Sequence, residues 1–315
     1  MEALAHYLKK FTSLKRGIVS GAGEKAPHKP VLLLAVLEEM AAGSIIENHI
    51  YITPELVARF RDVWSRVVRN PAFKPDFFLP FFHLKSERFW HLRLFPGREF
   101  LLTSSHSPKS FRSLRETVHY AFLDDELFAL AMTGTGREGL RVALTNAYFP
   151  GTSGEGHAGY IQEVETQILG ESSVQYQQAA LSFTEEDIVA RGGVFKRVVP
   201  RAYDYTCCVS RMRIIAGSQA QMVDACHIVP FAESRDDTIA NGISLCPNLH
   251  RAFDRGLIRI DTDYRVAISP MVTEREGAYG LREFAGRKIL LPHEKGWWPG
   301  RENLEQHWLR WTENF

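Results

Sequence analysis

Apolar residues recur at three- and four-residue spacing over much of the first half of the chain. In PELVARFRDVWSRVV, from Pro54, the positions Leu56, Val57, Phe60, Val63, Trp64 and Val67 predict an amphipathic helix. ALAHYLKKFTSL, near the start, has the same spacing. APHKPVLLLAVLEEM sets prolines ahead of a strongly apolar run, predicting a buried helix with proline in its first turn. RFWHLRLF and EFLLTS are short apolar runs on either side of Pro96-Gly97, which predicts a hairpin. DDELFALAMT, beginning at Asp124, predicts a capped helix. Further on, MVDACHIV is followed by a charged loop and then by NGISLCPNLHRAF. That order predicts strand, loop, strand and helix, bringing the histidine of the first strand and the histidine of the helix towards one point.

Between about Tyr148 and Gly170 the pattern lapses. FPGTSGEGHAGY is rich in Gly, Ser and Thr, and ESSVQYQQAA is polar. A length of 315 residues favours two domains, so a boundary is expected near residue 170, giving 1–170 and 171–315. Hydrophobic residues at 45% leave enough apolar matter for two cores. No run approaches the roughly 20 apolar residues of a membrane span. MEALAHYLKKF lacks the order of a signal peptide, so a cytoplasmic protein is expected.

Charge and cysteines remove some options. Residues 1–170 carry 20 Lys+Arg against 18 Asp+Glu, and 171–315 carry 18 against 19. Neither half is basic, so any nucleic-acid binding must use local patches. Cys207, Cys208, Cys226 and Cys246 form no C-x-x-C pair, which argues against a structural zinc knuckle or a redox motif.

The chemistry is concentrated in the C-terminal part. Asn241 lies fourteen residues after His227, and His250 nine further on. Phosphodiester hydrolysis needs an activated water and stabilisation of charge at phosphorus and on the leaving oxygen. A histidine near its ordinary pKa of ~6.5 can take the water's proton at neutral pH. A divalent cation, held by a second histidine and a carboxylate, can supply the electrostatics. An asparagine amide can pin a loop or orient the base. Taken singly, Asn241-Gly242 reads as a turn and Asp254-Arg255-Gly256 as a helix end.

With ACHIVP, NGISLCPNLH and HRAFDRG in place, this stretch resembles the His-Asn-His (HNH) family of the ββα-metal nuclease fold. The tail FAGRKILLPHEKGWWPGRENLEQHWLRWTENF resembles the same branch. The resemblance implies that His227 is the general base, that Asn241 stabilises the loop and orients that base, and that His250 binds the metal. It also implies Mg²⁺ or Mn²⁺ as cofactor. Many members carry an aspartate before the base as a metal ligand, where this chain has Cys226. A thiol is a poor ligand for a hard cation. The carboxylate role is therefore assigned to Asp224, with Asp254 as the alternative.

In the N-terminal half, PHKP (Pro27 to Pro30) and LPFFHLKSERFWHL (Leu79 to Leu92) are dense in His, Lys, Arg and aromatic residues. Such groups can grip phosphates, stack on bases, line a pocket or simply form core. Over roughly residues 20–130 these motifs resemble the sulfur-binding domains that read phosphorothioate-modified DNA, which pair with HNH domains in modification-dependent restriction enzymes. The resemblance places His28, Lys29, Leu79, Pro80 and His83 on a pocket. Leu79 stands where a tyrosine is usual, and His83 where a small residue is frequent.

The expected fold class is α+β, with a mixed α/β DNA-reading domain followed by a ββα-metal HNH nuclease domain. The expected function is a restriction endonuclease that cuts double-stranded DNA after reading a phosphorothioate mark. Two alternatives are an HNH nuclease reading a modified base or unmodified DNA, and a non-catalytic DNA-binding protein. An HNH domain has one active site, so cutting both strands implies a homodimer, transient pairing or two visits.

Overall fold

The computed structural model describes residues 2–18, 23–98, 108–151, 159–216, 220–275 and 280–311. The chain divides into two units, one of Met1–Glu163 with Thr184–Gly193 and one of Val164–Phe183 with Val194–Phe315. Both mix helices with two-stranded sheets, the α+β class expected from the sequence. Among the described residues, no helix is long and apolar enough to cross a membrane.

The first unit is built around α2 (His28–Ala41), whose apolar run Val31 to Leu37 is buried on every side. Before it comes α1 (Glu2–Thr12), and after it α3 (Pro54–Val67). In α3 the Thr53 hydroxyl accepts from Leu56 N and proline occupies the first turn, as its sequence predicts. Arg59 and Arg66 of α3 reach Glu39 and Glu38 of α2, each at 2.8 Å. Next comes α4 (Phe78–His83), then β1 (Trp90–Leu94), α5 (Phe111–Thr117) and β2 (Val118–Leu123). Two further helices, α6 (Asp125–Met132) and α7 (Gly134–Tyr148), follow.

β1 pairs antiparallel with β2, more than twenty residues on. EFLLTS, the expected hairpin partner across Pro96-Gly97, lies outside the described residues. One local expectation needs correction. Asp124 precedes α6 but its side chain makes no cap hydrogen bond. Its carboxylate instead accepts from His91 Nε2 at 2.8 Å and Tyr7 Oη at 3.2 Å, so tertiary partners outcompete the local one.

Around the expected boundary the described residues are largely helical. α8 (Tyr160–Gly170) is followed by α9 (Ser173–Ala180), where Ser172 and Gln175 form a capping box. α10 (Glu185–Ala202) has its residues 185–193 in the first unit and 194–202 in the second.

In the second unit, β3 (Ile215–Ala216) and β4 (Ala220–Gln221) form one short pair. β5 (Asp224–His227) and β6 (Gly242–Leu245) form another, joined through α11 (Phe231–Ser234) and followed by α12 (Pro247–Asp254). This is the strand, loop, strand and helix order read from the sequence. β7 (Ile258–Ile260), β8 (Val266–Ile268) and α13 (Arg301–Arg310) complete the unit. His307 of α13 stacks on Phe253 of α12 at 3.8 Å between ring centres and 3° between planes, and its Nε2 lies 3.2 Å from Phe253 O. Burial pushes this imidazole down to about 4, so it is a neutral core group at physiological pH.

Candidate functional site

β5 and β6 pair so that Asp224 faces Leu245 and His227 faces Gly242. Successive side chains of a strand point to opposite faces. Cys226 accordingly packs towards α12, while the His227 ring lies flat on Phe195 of α10, 4.1 Å between centres and 8° between planes. Gly242 makes that stack possible. A Cβ there would lie 2.6 Å from Val199 Cγ2 and 3.1 Å from the Phe195 ring. Its backbone is extended, φ −121° and ψ 136°, so the glycine serves close approach and not a turn.

His227 Nε2 lies 2.8 Å from Asp237 Oδ1. Asp237 is buried, and its other oxygen accepts from Tyr176 Oη at 3.0 Å. A proton shared with this carboxylate resides on Nε2, which leaves the lone pair on Nδ1. The His227 side chain is 25% exposed, enough for a water to reach it. Sequence reading missed Asp237, Tyr176 and Phe195. Asp237 was legible only as one of two aspartates in a charged loop, and the other two lie far away along the chain.

Asn241 is fully buried, and among the described residues its side chain makes no hydrogen bond to His227. Its amide nitrogen donates to Val229 O and Asp236 O, both at 2.9 Å, with a longer contact to Ser234 Oγ at 3.3 Å. Its amide oxygen accepts from Val229 N at 2.9 Å. The side chain thus closes the loop running from His227 to Asp237, and it holds the dyad through that loop. Asn241→Ala leaves the Val229 amide and the Asp236 carbonyl without the partners that Asn241 supplies, while Val229 O keeps the Ser234 hydroxyl at 3.2 Å. We expect a loss of about 1–3 kcal/mol in stability, read from urea unfolding.

α12 begins with Pro247 and places His250 and Asp254 one turn apart on one face, with Leu249 and Phe253 buried on the other. Cys226, His250 and Asp254 bring a sulfur, a ring nitrogen and a carboxylate oxygen within 4.8 Å of one another. Asp224 lies beside this group, its Oδ2 3.4 Å from His250 Nδ1, while Asp254 Oδ2 is 3.5 Å from Nε2. Of the two carboxylates considered, Asp254 lies with His250 and the cysteine, and Asp224 touches the other side of the imidazole. Burial pushes the Cys226 thiol well up, and it points at Asp254 Oδ1 at 3.8 Å. No contact between His227 and His250 is seen among the described residues. His250 lies beside Asp224 and Cys226, whereas His227 ends β5 with its side chain on the other face.

Residues 207–261 match the family model described as HNH endonuclease. This stretch is an HNH endonuclease domain. The comparison with curated proteins gives no match. Among solved structures, the chain is similar to a protein described as "Modification dependent TagI restriction endonuclease", at 19% identity and a TM-score of 0.31. That similarity covers 39% of this chain and 42% of the other, less than half of either. HNH nucleases generally use a divalent metal ion. In the HNH domain here, the donor atoms of Cys226, His250 and Asp254 are close enough that small side-chain rotations would let one cation bind all three.

A second candidate site lies in the first unit. A cavity of about 860 Å³ is lined by all five residues that the sequence placed on a pocket: His28, Lys29, Leu79, Pro80 and His83. Arg16, Lys25 and Lys85 also line it. His28 is nearly buried and packs on Trp64, with its Nε2 2.8 Å from Lys74 O. Burial pushes its imidazole below the ordinary value. Burial, followed by the charges of Lys29 and Lys85, does the same at His83. The Lys29 ammonium contacts Ser86 Oγ at 2.8 Å and pairs with Glu87 at 2.5 Å. Lys85 Nζ sits 3.8 Å over the Phe82 ring. The result is an apolar cup with neutral imidazoles and cations around it.

Proposed function

We propose that this protein is a modification-dependent restriction endonuclease: the second unit hydrolyses DNA phosphodiesters and the first reads a mark on the DNA. The observation that carries the cutting role is the His227–Asp237–Tyr176 chain in the same domain as the Cys226, His250 and Asp254 donors. Nδ1 of His227 takes a proton from water while Asp237 stabilises the imidazolium that forms. The water oxygen bonds to phosphorus, one ester P–O bond breaks, and the leaving oxygen takes a proton from solvent. Phe195 and the loop closed by Asn241 keep the imidazole from rotating away. A bound divalent cation would supply charge stabilisation at the phosphate and the leaving oxygen. Cys226, His250 and Asp254 would hold it, with Asp224 orienting His250 from behind. The thiol shifts the preference from Mg²⁺ towards Mn²⁺ and softer ions.

For the mark we propose phosphorothioate, read in the cavity of the first unit. Sulfur is larger and less strongly hydrated than oxygen, so an apolar cup beside cations favours it over a phosphate oxygen. Leu79 and Pro80 would form the cup, and Lys29, His28 and His83 its polar side. The volume of the cavity favours a second reading, an extruded modified base, since pockets of about 300–1,000 Å³ enclose whole small ligands. The four unpaired thiols suit a reducing cytoplasm, where foreign DNA would be met. Cleaving both strands would take two copies of the chain or two visits.

The test uses matched duplexes, one unmodified, one phosphorothioated and one carrying 5-methylcytosine, with Mn²⁺ and Mg²⁺ separately. We expect cutting confined to the phosphorothioated duplex. Cutting confined to the methylated duplex would favour the extruded base. Equal cutting of all three would remove the mark and keep the nuclease, and tight binding with no cutting would remove the nuclease.

A further inference from the structure

The β1–β2 pair in the first unit has an unusual outer face. Ile50 bridges to Ala121 of β2 through hydrogen bonds of 2.7 and 2.9 Å, which sets His49 and Tyr51 beside β2. Alternation sends Ile50, Trp90 and Ala121 into the core, each at most 1% exposed. On the other face, where polar side chains normally stand, the same alternation places rings. Phe122 lies 5.0 Å from His91 and 6.3 Å from Tyr120. Tyr120 in turn lies 4.5 Å from His49 and 5.5 Å from Tyr51. An irregularity in pairing at Arg93/Leu94 gives His119 a place in the same network, stacked on Phe95 at 4.9 Å and 28°. Seven rings thus form one continuous surface, with Tyr51 43% and Phe95 36% exposed.

We propose that this face is a stacking platform for unpaired bases of a DNA strand. Three features favour bases over a protein partner. The network is built of aromatic rings, each able to stack on the π-face of a base. Arg93 stands exposed in the middle of the face, opposite Tyr120, and has no ion-pair partner among the described residues, so a phosphate can reach it. The carboxylates of Glu47 and Asp124 lie at the margins, paired with His49 at 3.5 Å and His91 at 2.8 Å. The centre is therefore aromatic and cationic, the composition that holds single strands irrespective of sequence. The platform depends neither on the cavity reading nor on cutting, and it can be tested apart from both.

Fluorescence anisotropy on the full chain carrying His227→Ala, in chelator, would use a labelled unmodified DNA strand of about 12 nucleotides, its duplex and the matching RNA. Tyr51→Ala and Phe95→Ala should each weaken binding of the DNA strand by about 5- to 150-fold and leave duplex binding unchanged. Arg93→Ala should weaken it and make its salt dependence shallower by about 0.7 in the log–log slope, since one phosphate contact is lost. Tyr51→Phe, which keeps the ring, should bind like the parent. Circular dichroism establishes that each variant is folded. The proposal fails if the parent does not bind the single strand, if the alanine variants bind it unchanged, or if strand and duplex weaken equally. It also fails if RNA is preferred over DNA, or if the substitutions dissolve a dimer of the chain and leave strand binding intact.

Discussion

We expect His227→Ala to lower DNA cutting by about 10²–10⁴-fold, the usual contribution of a positioned general base, and to leave DNA binding unchanged. Single-turnover rates on a cleaved duplex, with binding followed separately, check this. Asp237→Asn is the sharper companion. It keeps the size of the side chain but replaces one acceptor oxygen of a carboxylate that now lies 2.8 Å from Nε2 and 3.0 Å from the Tyr176 hydroxyl. An amide presenting N–H to the ring would favour the tautomer with its proton on Nδ1, so the lone pair would face the wrong way. We expect a rate between those of the parent and His227→Ala, with the loss in turnover and not in binding. If Asp237→Asn cuts like the parent, the dyad is packing and His227 is oriented by Phe195 alone.

The second large effect concerns the cation. His250→Ala should abolish high-affinity Mn²⁺ binding in calorimetry, because one of three donors is removed along with the group that Asp224 orients. Asp224→Ala should weaken binding by about 10- to 100-fold, the cost typical of losing a partner behind a metal-binding histidine. Cys226→Asp should move the preference from Mn²⁺ towards Mg²⁺, since it exchanges sulfur for oxygen. With Co²⁺, the parent should show a thiolate charge-transfer band that Cys226→Asp lacks. A Co²⁺ complex with the same spectrum in both proteins would place Cys226 outside the coordination shell, leaving it a core residue beside His250 and Asp254.

Much of the second unit was legible because its signals are local. The strand, loop, strand and helix order follows from short apolar runs, and the 3.6-residue period alone sets His250 and Asp254 on one face of α12. Asn241 was legible as a loop pin, since a buried amide in a short turn has few other partners. What aims His227 was not legible. Asp237 looked like solvated charge, and Tyr176 belonged to a polar stretch beside the expected boundary. The capping box of α9 was present in the sequence as Ser172 and Gln175, but Gln-rich composition outweighed it. In the first unit, the pairing of β1 with β2 spans α5, and no turn signal marks it. Cys226 was set aside on the chemistry of hard cations, and only the packing of β5 on α12 brings its sulfur to His250 and Asp254.

The stretch matching the HNH family ends at residue 261, yet the parts that hold its chemistry in place extend well beyond it. Tyr176 and Phe195 precede it, and His307 follows it, lying flat on Phe253 in α12. A recombinant fragment cut to the matched boundaries would retain all three signature residues and Asp237, and lose the Phe195 ring beneath His227 and the Tyr176 hydroxyl on Asp237. It would also leave the Phe253 ring open to water. Grafting that fragment onto another DNA-binding protein should yield an aggregation-prone, inactive chimera, whereas one starting before α9 and running through α13 carries the complete working part.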